Sequence, residues 1–264
     1  MQIPIVSRKI LESRIADYLD REGIIKRSNE QVRQLLKDYK DENIFDELIK
    51  ATNEWTSERM STPNFYDYMA QRVNGTGLCD ILTGRYRDGI AWDIRKIVEN
   101  VKKDDQMVLD VGCGTGIITY FLGIEHPRLK IEGIDCSAES IKRAQERGKR
   151  LQLTNVDLKV QELDELKDSK QQYNLIYCCH SLYEDSVNSA VTKRRISMLT
   201  GKLSRRGRLV AIRNDNFHDF EELGESKKIE EIDSEVKYQQ QSFIHSTTNG
   251  EKSKEVVEIW EKLS

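Results

Sequence analysis

A glycine-rich turn joins an apolar run to a second apolar segment in the stretch VLDVGCGTGIITYFLG. Gly112, Gly114 and Gly116 fall at alternate positions just after Asp110. When a strand ends in such a turn and a helix begins there, backbone N–H groups and an open surface face a flat or charged ligand. The spacing is G-x-G-x-G, so the third glycine of a dinucleotide fingerprint is missing. The turn therefore predicts a ligand site, although the dinucleotide fingerprint is incomplete.

A second acidic residue, Asp135, ends the next apolar segment, LKIEGID, about 20 residues after the turn. An acid at the tip of a second strand accepts hydrogen bonds from both ribose hydroxyls of an adenosine. A helix pattern follows Asp135, so the carboxylate also suits the positive end of a helix dipole. The glycine turn nearby favours the ribose role, and the helix-end role stays open.

The elements around these residues alternate between strand and helix. Strand patterns are QMVLDV, LKIEGIDC, VDLKVQEL, YNLIYCCHSL and GRLVAIRN, and helix patterns are DGIAWDIRKIVENV, GIITYFLGIEH, SAESIKRAQERGKRL and SAVTKRRISMLTGKL. The fourth strand is a near-continuous apolar run, as expected in the buried middle of a parallel sheet. The alternation predicts a doubly wound α/β fold with right-handed crossovers.

The two ends of the chain are less regular. VKYQQQSFIHST predicts an extended segment, and Asn249-Gly250 is a hairpin signal. KEVVEIW then fits a returning strand, although its apolar residues also fit a helix face. Residues 7–56 predict helices, and STPNFYDY predicts a break after them. The basic residues at 204–208 predict a solvated helix end. Residues that mark the N-terminal helices are Leu11, Ile15, Tyr18, Leu19, the capping-box pair Ser28 and Gln31, Phe45, Leu48 and Ile49.

Four segments together resemble the successive motifs of the class I S-adenosylmethionine-dependent methyltransferases. They are VLDVGCGTG, IEGIDCSAESIKRAQ, NVDLKVQELDEL and YNLIYCCHSLYED, within residues 85–215. The resemblance implies a Rossmann-like, seven-stranded, mostly parallel sheet whose last strand is antiparallel. It further implies that residues 85–264 form an S-adenosylmethionine-binding methyltransferase domain. Residues 1–84 are then expected to be an N-terminal helical cap or lid.

The resemblance also implies which residues bind the cofactor. They are Tyr66, Asp110, Gly112, Gly114, Gly116, Asp135, Cys136, Glu162, Leu163, Cys178 and Cys179. In the family pattern Asp110, Gly112 and Gly114 lie along the methionine part, and Gly116 opens the helix. Asp135 would hold the ribose.

The rest of that set follows the next three strands. Cys136 would pack near the adenine, and Glu162 and Leu163 would flank the adenine edge. Glu162 departs from the pattern, which often has Asp there. Cys178 and Cys179 match the end of the fourth strand, beside the methyl group.

Three polar residues after the fourth strand are the candidates for catalysis. His180 fits a general base and Glu184 fits the group that orients it, with Tyr183 between them. A partly buried histidine bonded to the backbone is the competing interpretation. Some metal-dependent relatives place Asp-Asn after the fifth strand. Asp215-Asn216 comes later than in that pattern and also fits a helix cap, so we expect no metal.

The aromatic cluster in NFYDYMAQR, which includes Phe65, Tyr66 and Tyr68, fits core packing between helices. In this family N-terminal segments often close the site, so the cluster also fits a lid, with Tyr66 as the residue touching the cofactor.

Composition limits the partners and the compartment. The formal net charge is −3, from 42 basic and 45 acidic side chains, so we expect no nucleic acid partner and favour a small-molecule acceptor. The five cysteines form no C-x-x-C pair, and neither a secretory leader nor a membrane-spanning run is recognisable. We therefore expect a cytoplasmic protein with reduced thiols. A protein or RNA methyltransferase and a catalytically silent cofactor-binding module remain alternatives, and the oligomeric state stays open.

Overall fold

The protein is described here from a computed structural model. The structure describes residues 8–25, 28, 30–31, 34, 37–38, 44–72, 87–182, 189–214, 236–246 and 252–263. Within these ranges no helix is both long and apolar enough to cross a bilayer.

A single sheet of seven strands organises the described part of the chain. The strands are β1 (Met107–Val111), β2 (Lys130–Asp135), β3 (Val156–Val160), β4 (Tyr173–Cys179), β5 (Leu203–Asn214), β6 (Val236–Ser246) and β7 (Lys252–Lys262). Their order across the sheet is β3-β2-β1-β4-β5-β7-β6. Strands β1 to β5 are parallel, and β7 runs antiparallel between β5 and β6. The predicted doubly wound, mostly parallel sheet is confirmed.

The C-terminal segment is a strand, so the alternative of a helix is wrong. β7 pairs along both edges, with β5 from Arg208↔Glu261 and with β6 from Val236↔Lys262. Trp260 is fully buried, because a strand in this position packs against the core while both backbone edges are hydrogen-bonded. The predicted hairpin dipeptide, Asn249-Gly250, lies outside the described residues, between the paired ends of β6 and β7.

Helices cover both faces of the sheet. They are α1 (Arg8–Arg21), α2 (Ile44–Thr56), α3 (Thr62–Arg72), α4 (Arg87–Glu99), α5 (Ile117–Glu125), α6 (Ala138–Leu151), α7 (Ser189–Gly201) and a 3-10 helix, Leu163–Asp168. Helices α4 and α5 pack on one face with Tyr177 and Cys179 of β4. Helix α7 packs on the other face with Cys178. Successive β4 side chains therefore enter opposite cores, as the two-residue period of a strand requires.

The first helix docks on the α/β core through the predicted apolar stripe. Leu11, Ile15, Tyr18 and Leu19 are all buried, in one cluster with Ile94 of α4 and Phe121 of α5. Tyr18 also donates a hydrogen bond of 2.8 Å to the carbonyl of Ile117. The chain after α1 contains the expected capping box, in which Ser28 and Gln31 exchange side-chain and backbone hydrogen bonds.

Two sequence predictions are wrong in detail. The predicted break at STPNFYDY is the start of helix α3, because Pro63 falls in the first turn, where its missing N–H removes no helical hydrogen bond. The third predicted helix, by contrast, is present as α2, in which Leu48 is buried and Ile49 is 57% exposed. Arg208 is not solvated but buried on β5, and its guanidinium lies 2.5 Å from the carboxylate of Asp105.

Candidate functional site

The glycine turn follows β1 with φ angles of 72° at Gly112, 52° at Gly114 and 76° at Gly116. A Cβ at Gly112 would lie 2.2 Å from the Cβ of Ser181, so the protein itself fills that space. At Gly116 it would press against the ring of Tyr120 at 2.8 Å. At Gly114 it would meet no atom of the described chain within 4 Å. Of the three glycines, only Gly114 leaves open space in which a ligand can approach the backbone.

Asp135 ties the tip of β2 to this turn. Its Oδ2 accepts the N–H of Gly114 and its Oδ1 accepts the N–H of Ser137, both at 2.8 Å. Burial raises the pKa of the carboxyl, and these two backbone bonds oppose that effect. A carboxylate offers about four acceptor positions, so capacity remains for hydroxyl groups of a ligand. The bond to Ser137, the N-cap of α6, also places Asp135 at the start of that helix.

Asp110 lies beneath the turn, between the sheet and α5. Its carboxylate is buried, and Oδ2 accepts hydrogen bonds from Thr119 at 2.5 Å and from Tyr177 at 2.8 Å. Burial raises the pKa of Asp110 to about 7, although both hydroxyls act in the opposite direction. This residue therefore braces β1 against α5 and β4, and contact with a ligand remains a proposal.

The residues expected around an adenine stand at the ends of β2 and β3, which are adjacent parallel strands. Cys136 is half-buried directly after Asp135. Glu162 is exposed, and Leu163 is half-buried at the start of the 3-10 helix. Parallel strands bring their carboxyl ends to one edge, so these three side chains share the edge that carries the glycine turn.

The end of β4 carries a second polar group. Cys178 is buried towards α7, and Cys179 is buried towards α4. His180 follows with a φ of 59°, and its Nε2 lies 3.4 Å from Oδ2 of Asp93 on α4. Tyr183 and Glu184, the other two catalytic candidates, lie outside the described residues, as do Asp215 and Asn216.

The sequence analysis did not identify Asp93. Its carboxyl is 1% exposed, although it lies in a helix with a charged outer face. A signal was present, because Asp93 is three residues after Ile90 and four before Ile97, and therefore lies on the apolar face of α4. A carboxylate at such a position needs a polar or cationic partner nearby.

Helix α3 reaches the same edge through Asp67. One carboxylate oxygen of Asp67 accepts the hydroxyl of Ser137 at 2.7 Å and the N–H of Glu139 at 3.0 Å. Asp67 therefore caps the helix that begins beside Asp135. Tyr66, the proposed lid residue, is half-buried in edge-to-face contact with Trp55 and Phe65.

The aromatic cluster also packs α2 against α3. Phe65 is buried and stacks on Trp55 with ring centroids 4.6 Å apart, and Tyr68 donates a hydrogen bond to Glu47 at 3.3 Å. Core packing therefore accounts for Phe65 and Tyr68.

An ion-pair network centred on the buried carboxylate of Glu22 ties the end of α1 to the glycine turn. Glu22 has a side chain only 1% exposed and receives Arg147 at 2.7 Å and Arg150 at 2.6 Å, both from α6. Burial alone would raise the pKa of Glu22, but the two guanidinium groups hold it below its usual value. Arg147 also donates to the carbonyl of Thr115 in the turn. The sequence analysis missed this network because it joins residues far apart in the chain.

Comparison with protein families gives a match to the family described as "Methyltransferase domain", over residues 102–261, which is more than half of the chain. Among curated proteins, an uncharacterized protein of Methanocaldococcus jannaschii is 30% identical over 110 residues. That match covers 40% of this chain and 30% of the relative, so the chain aligns with less than a third of the relative's length.

Solved structures share the fold at low sequence identity. The N-methyltransferase NodS from Bradyrhizobium japonicum, in complex with S-adenosyl-L-homocysteine, is 16% identical with a TM-score of 0.56, and covers 75% of this chain and 99% of its own. Magnesium protoporphyrin IX methyltransferase from Synechocystis, with S-adenosylmethionine bound, is 16% identical with a TM-score of 0.54, and covers 75% and 94%. The [4+2]-cyclase SpnF is also 16% identical with a TM-score of 0.54, and covers 68% and 84%.

Proposed function

The chain belongs to the methyltransferase-domain family, and on that basis we propose that it transfers a methyl group from S-adenosylmethionine to a small-molecule acceptor. The observation that carries the proposal is the glycine turn. Its open position at Gly114 is held at the carboxyl edge of a parallel sheet by the carboxylate of Asp135. A ligand with a ribose and a flat base suits this combination of exposed backbone and acceptor oxygens.

The residues of the chain fit the parts of that cofactor in order along the sheet edge. The backbone at Gly114 would lie along the methionine part, with Gly112 and Gly116 shaping the turn on either side. Asp135 would accept the ribose hydroxyls with its remaining acceptor capacity. Cys136 would then pack near the adenine.

The remaining cofactor contacts come from the flanking strands and from α3. Glu162 and Leu163 would flank the adenine edge, and Cys178 and Cys179 would lie beside the reacting end. Tyr66 would cover the cofactor from α3, because Asp67 fixes that helix on the N-terminus of α6.

When bound, the cofactor supplies an electrophilic methyl group on a sulfonium. The protein contributes alignment, and reacting atoms held ~3–3.5 Å apart account for much of the rate in such displacements. His180 stands at the carboxyl end of β4, next to the expected reacting end, and its Nε2 lies 3.4 Å from the carboxylate of Asp93. His180 would accept a proton if the acceptor must lose one, with Tyr183 and Glu184 as further candidates after the same strand.

Two features support a small acceptor. The chain has a formal net charge of −3, which does not favour a polyanionic partner. Helices α1 and α3 also dock against the core beside the turn, so they would narrow the approach to it. SpnF shares the fold and is named a [4+2]-cyclase, so the fold alone does not determine the reaction. A catalytically silent cofactor-binding module therefore stays the alternative.

A labelled-methyl assay tests the proposal. Purified protein is incubated with S-adenosylmethionine carrying a labelled methyl group and with a small-molecule cell extract, and transfer of label and formation of the demethylated cofactor are measured together. We expect both products in equal amounts with the wild type, and neither with Gly114→Val. If label enters only the macromolecular fraction of a whole extract, the acceptor class is wrong. If cofactor binds without any turnover, the silent module is the better account.

A further inference from the structure

Asp93, Cys179 and His180 bring three different metal-binding groups together where β4 meets α4. One ligand atom from each lies within 4.8 Å of the other two. The side chains of Asp93 and His180 are 1% and 12% exposed, and Cys179 is 8% exposed. We propose that these three residues bind a transition-metal ion of the Zn²⁺ class, which departs from the expectation that the protein uses no metal.

The distance between two of the groups fits a metal better than a hydrogen bond. His180 Nε2 and Asp93 Oδ2 are 3.4 Å apart, whereas N–H···O hydrogen bonds usually measure about 2.7–3.2 Å. Zn²⁺ binds histidine nitrogen and carboxylate oxygen at about 2.0–2.2 Å, so two ligands on a tetrahedron around it stand about 3.4 Å apart. The pair is therefore already at the separation that a shared tetrahedral ion requires.

The backbone at the end of β4 allows Cys179 and His180 to reach the same ion. In a regular strand the side chains of Cys179 and His180 would point to opposite faces. His180 instead has a φ of 59°, in the left-handed region, and the turn brings both side chains to the α4 side. A non-glycine residue in that region costs about 1–3 kcal/mol.

The donor set determines the metal class. A thiolate with an imidazole and a carboxylate suits Zn²⁺ and Co²⁺, whereas Mg²⁺ and Ca²⁺ prefer oxygen ligands alone. Three protein ligands leave the fourth tetrahedral position open, which is the arrangement of catalytic sites.

A consequence for the acceptor rests on the proposed function. If β4 presents the acceptor to the methyl group, the open position would take its thiol or hydroxyl and lower the pKa of that group, whose proton passes to water. The metal would then replace His180 as the group that activates the acceptor.

Cobalt titration of the full chain tests the site without any substrate. The protein is dialysed against a chelator under reducing conditions, and Co²⁺ is added with no cofactor present. We expect one Co²⁺ per chain, a thiolate-to-cobalt absorption band in the near ultraviolet, and displacement of the ion by Zn²⁺. Changes in the outer shell of a metal site already cost about 10–100-fold in affinity, so Cys179→Ser and His180→Gln should each weaken binding more than about 100-fold.

Cys178→Ser is the matched control, because Cys178 is the adjacent buried thiol on the other face of the sheet. Cys178→Ser should keep the thiolate-to-cobalt band and the affinity for Co²⁺, both measured with no cofactor present. Asp93→Asn preserves side-chain shape, so it tests the carboxylate if a cysteine variant misfolds. Absence of a thiolate band in the wild type, or an unchanged band in folded Cys179→Ser, overturns the proposal and leaves a His180–Asp93 ion pair. Calorimetry with S-adenosylhomocysteine on the metal-free protein tests the proposed function separately, because that function predicts cofactor binding whether or not the metal binds.

Discussion

Replacement of Asp135 by Ala removes two roles of one carboxylate, and they can be measured separately. The variant loses the acceptor for the N–H groups of Gly114 and Ser137, each bonded at 2.8 Å. It also loses the proposed acceptor for the ribose hydroxyls. Hydrogen bonds to a charged group contribute about 1.5–3 kcal/mol, so affinity for S-adenosylhomocysteine should fall about ten- to hundredfold. The free energy of unfolding should fall by about 1–3 kcal/mol from the loosened turn.

A double-mutant cycle on the ligand isolates the ribose role. Wild type and Asp135→Ala are each titrated by calorimetry with S-adenosylhomocysteine and with its 3′-deoxy analogue. The wild type should prefer the natural ligand, and the variant should lose most of that preference, because the group that reads the hydroxyl is gone. Asp157→Ala, an exposed carboxylate on β3, should change neither affinity. Undiminished discrimination in a folded Asp135→Ala protein would refute the ribose role and leave Asp135 with the turn and the helix start.

Three further predictions follow from the same site. Gly114→Ala should abolish cofactor binding and lower the free energy of unfolding only by the roughly 1–2 kcal/mol of a left-handed residue. Gly112→Ala should unfold at a clearly lower temperature, because its Cβ meets Ser181. Equal shifts in the melting temperatures of the two variants would contradict the assignment of the open space to Gly114. The pKa of Asp110 is about 7 in the folded state and about 3.9 unfolded, so the protonated carboxyl favours the folded state. The free energy of unfolding should therefore fall, by at most about 4 kcal/mol, as the pH rises from about 4 to 7, and Asp110→Asn should flatten that part of the melting-temperature profile. Amide hydrogen exchange across α3 should slow when S-adenosylhomocysteine binds if that helix is a lid; protection confined to the glycine turn and β2 would favour a partner surface.

The sheet was predictable because local patterns and topology agree. Five strand patterns, separated by turn residues and helical periods, indicated the parallel strands, and the near-continuous apolar run of β4 marked the sheet's centre. β7 was ambiguous because Val256, Val257 and Trp260 satisfy both periods over so short a segment. Its two neighbouring strands resolve the ambiguity, since pairing on both edges is a tertiary effect. Thr62-Pro63 misled because proline marks helix starts as well as breaks.

The site was predictable only where its residues belong to short sequence motifs. The glycine turn and Asp135 belong to local motifs, so their proximity followed from the order of the strands. Asp93 and Asp67 come from helices α4 and α3, and Glu22 directly follows α1; the partners of all three lie far along the chain. Sequence patterns report which face of a helix is apolar, but they do not report which distant residue meets it. Asp93 shows the useful exception, since a charge on an apolar face predicts a buried partner even when the partner is unknown.

Calorimetric titration of the wild-type chain tests the central claim most directly. S-adenosylmethionine, S-adenosylhomocysteine and NAD are each titrated into the protein under identical conditions. The glycine turn has no third glycine at the dinucleotide position, and its open space lies at Gly114 beside Asp135. We expect both sulfur compounds to bind with one site per chain and NAD to produce no binding heat. Binding of NAD with no response to either sulfur compound would contradict the account.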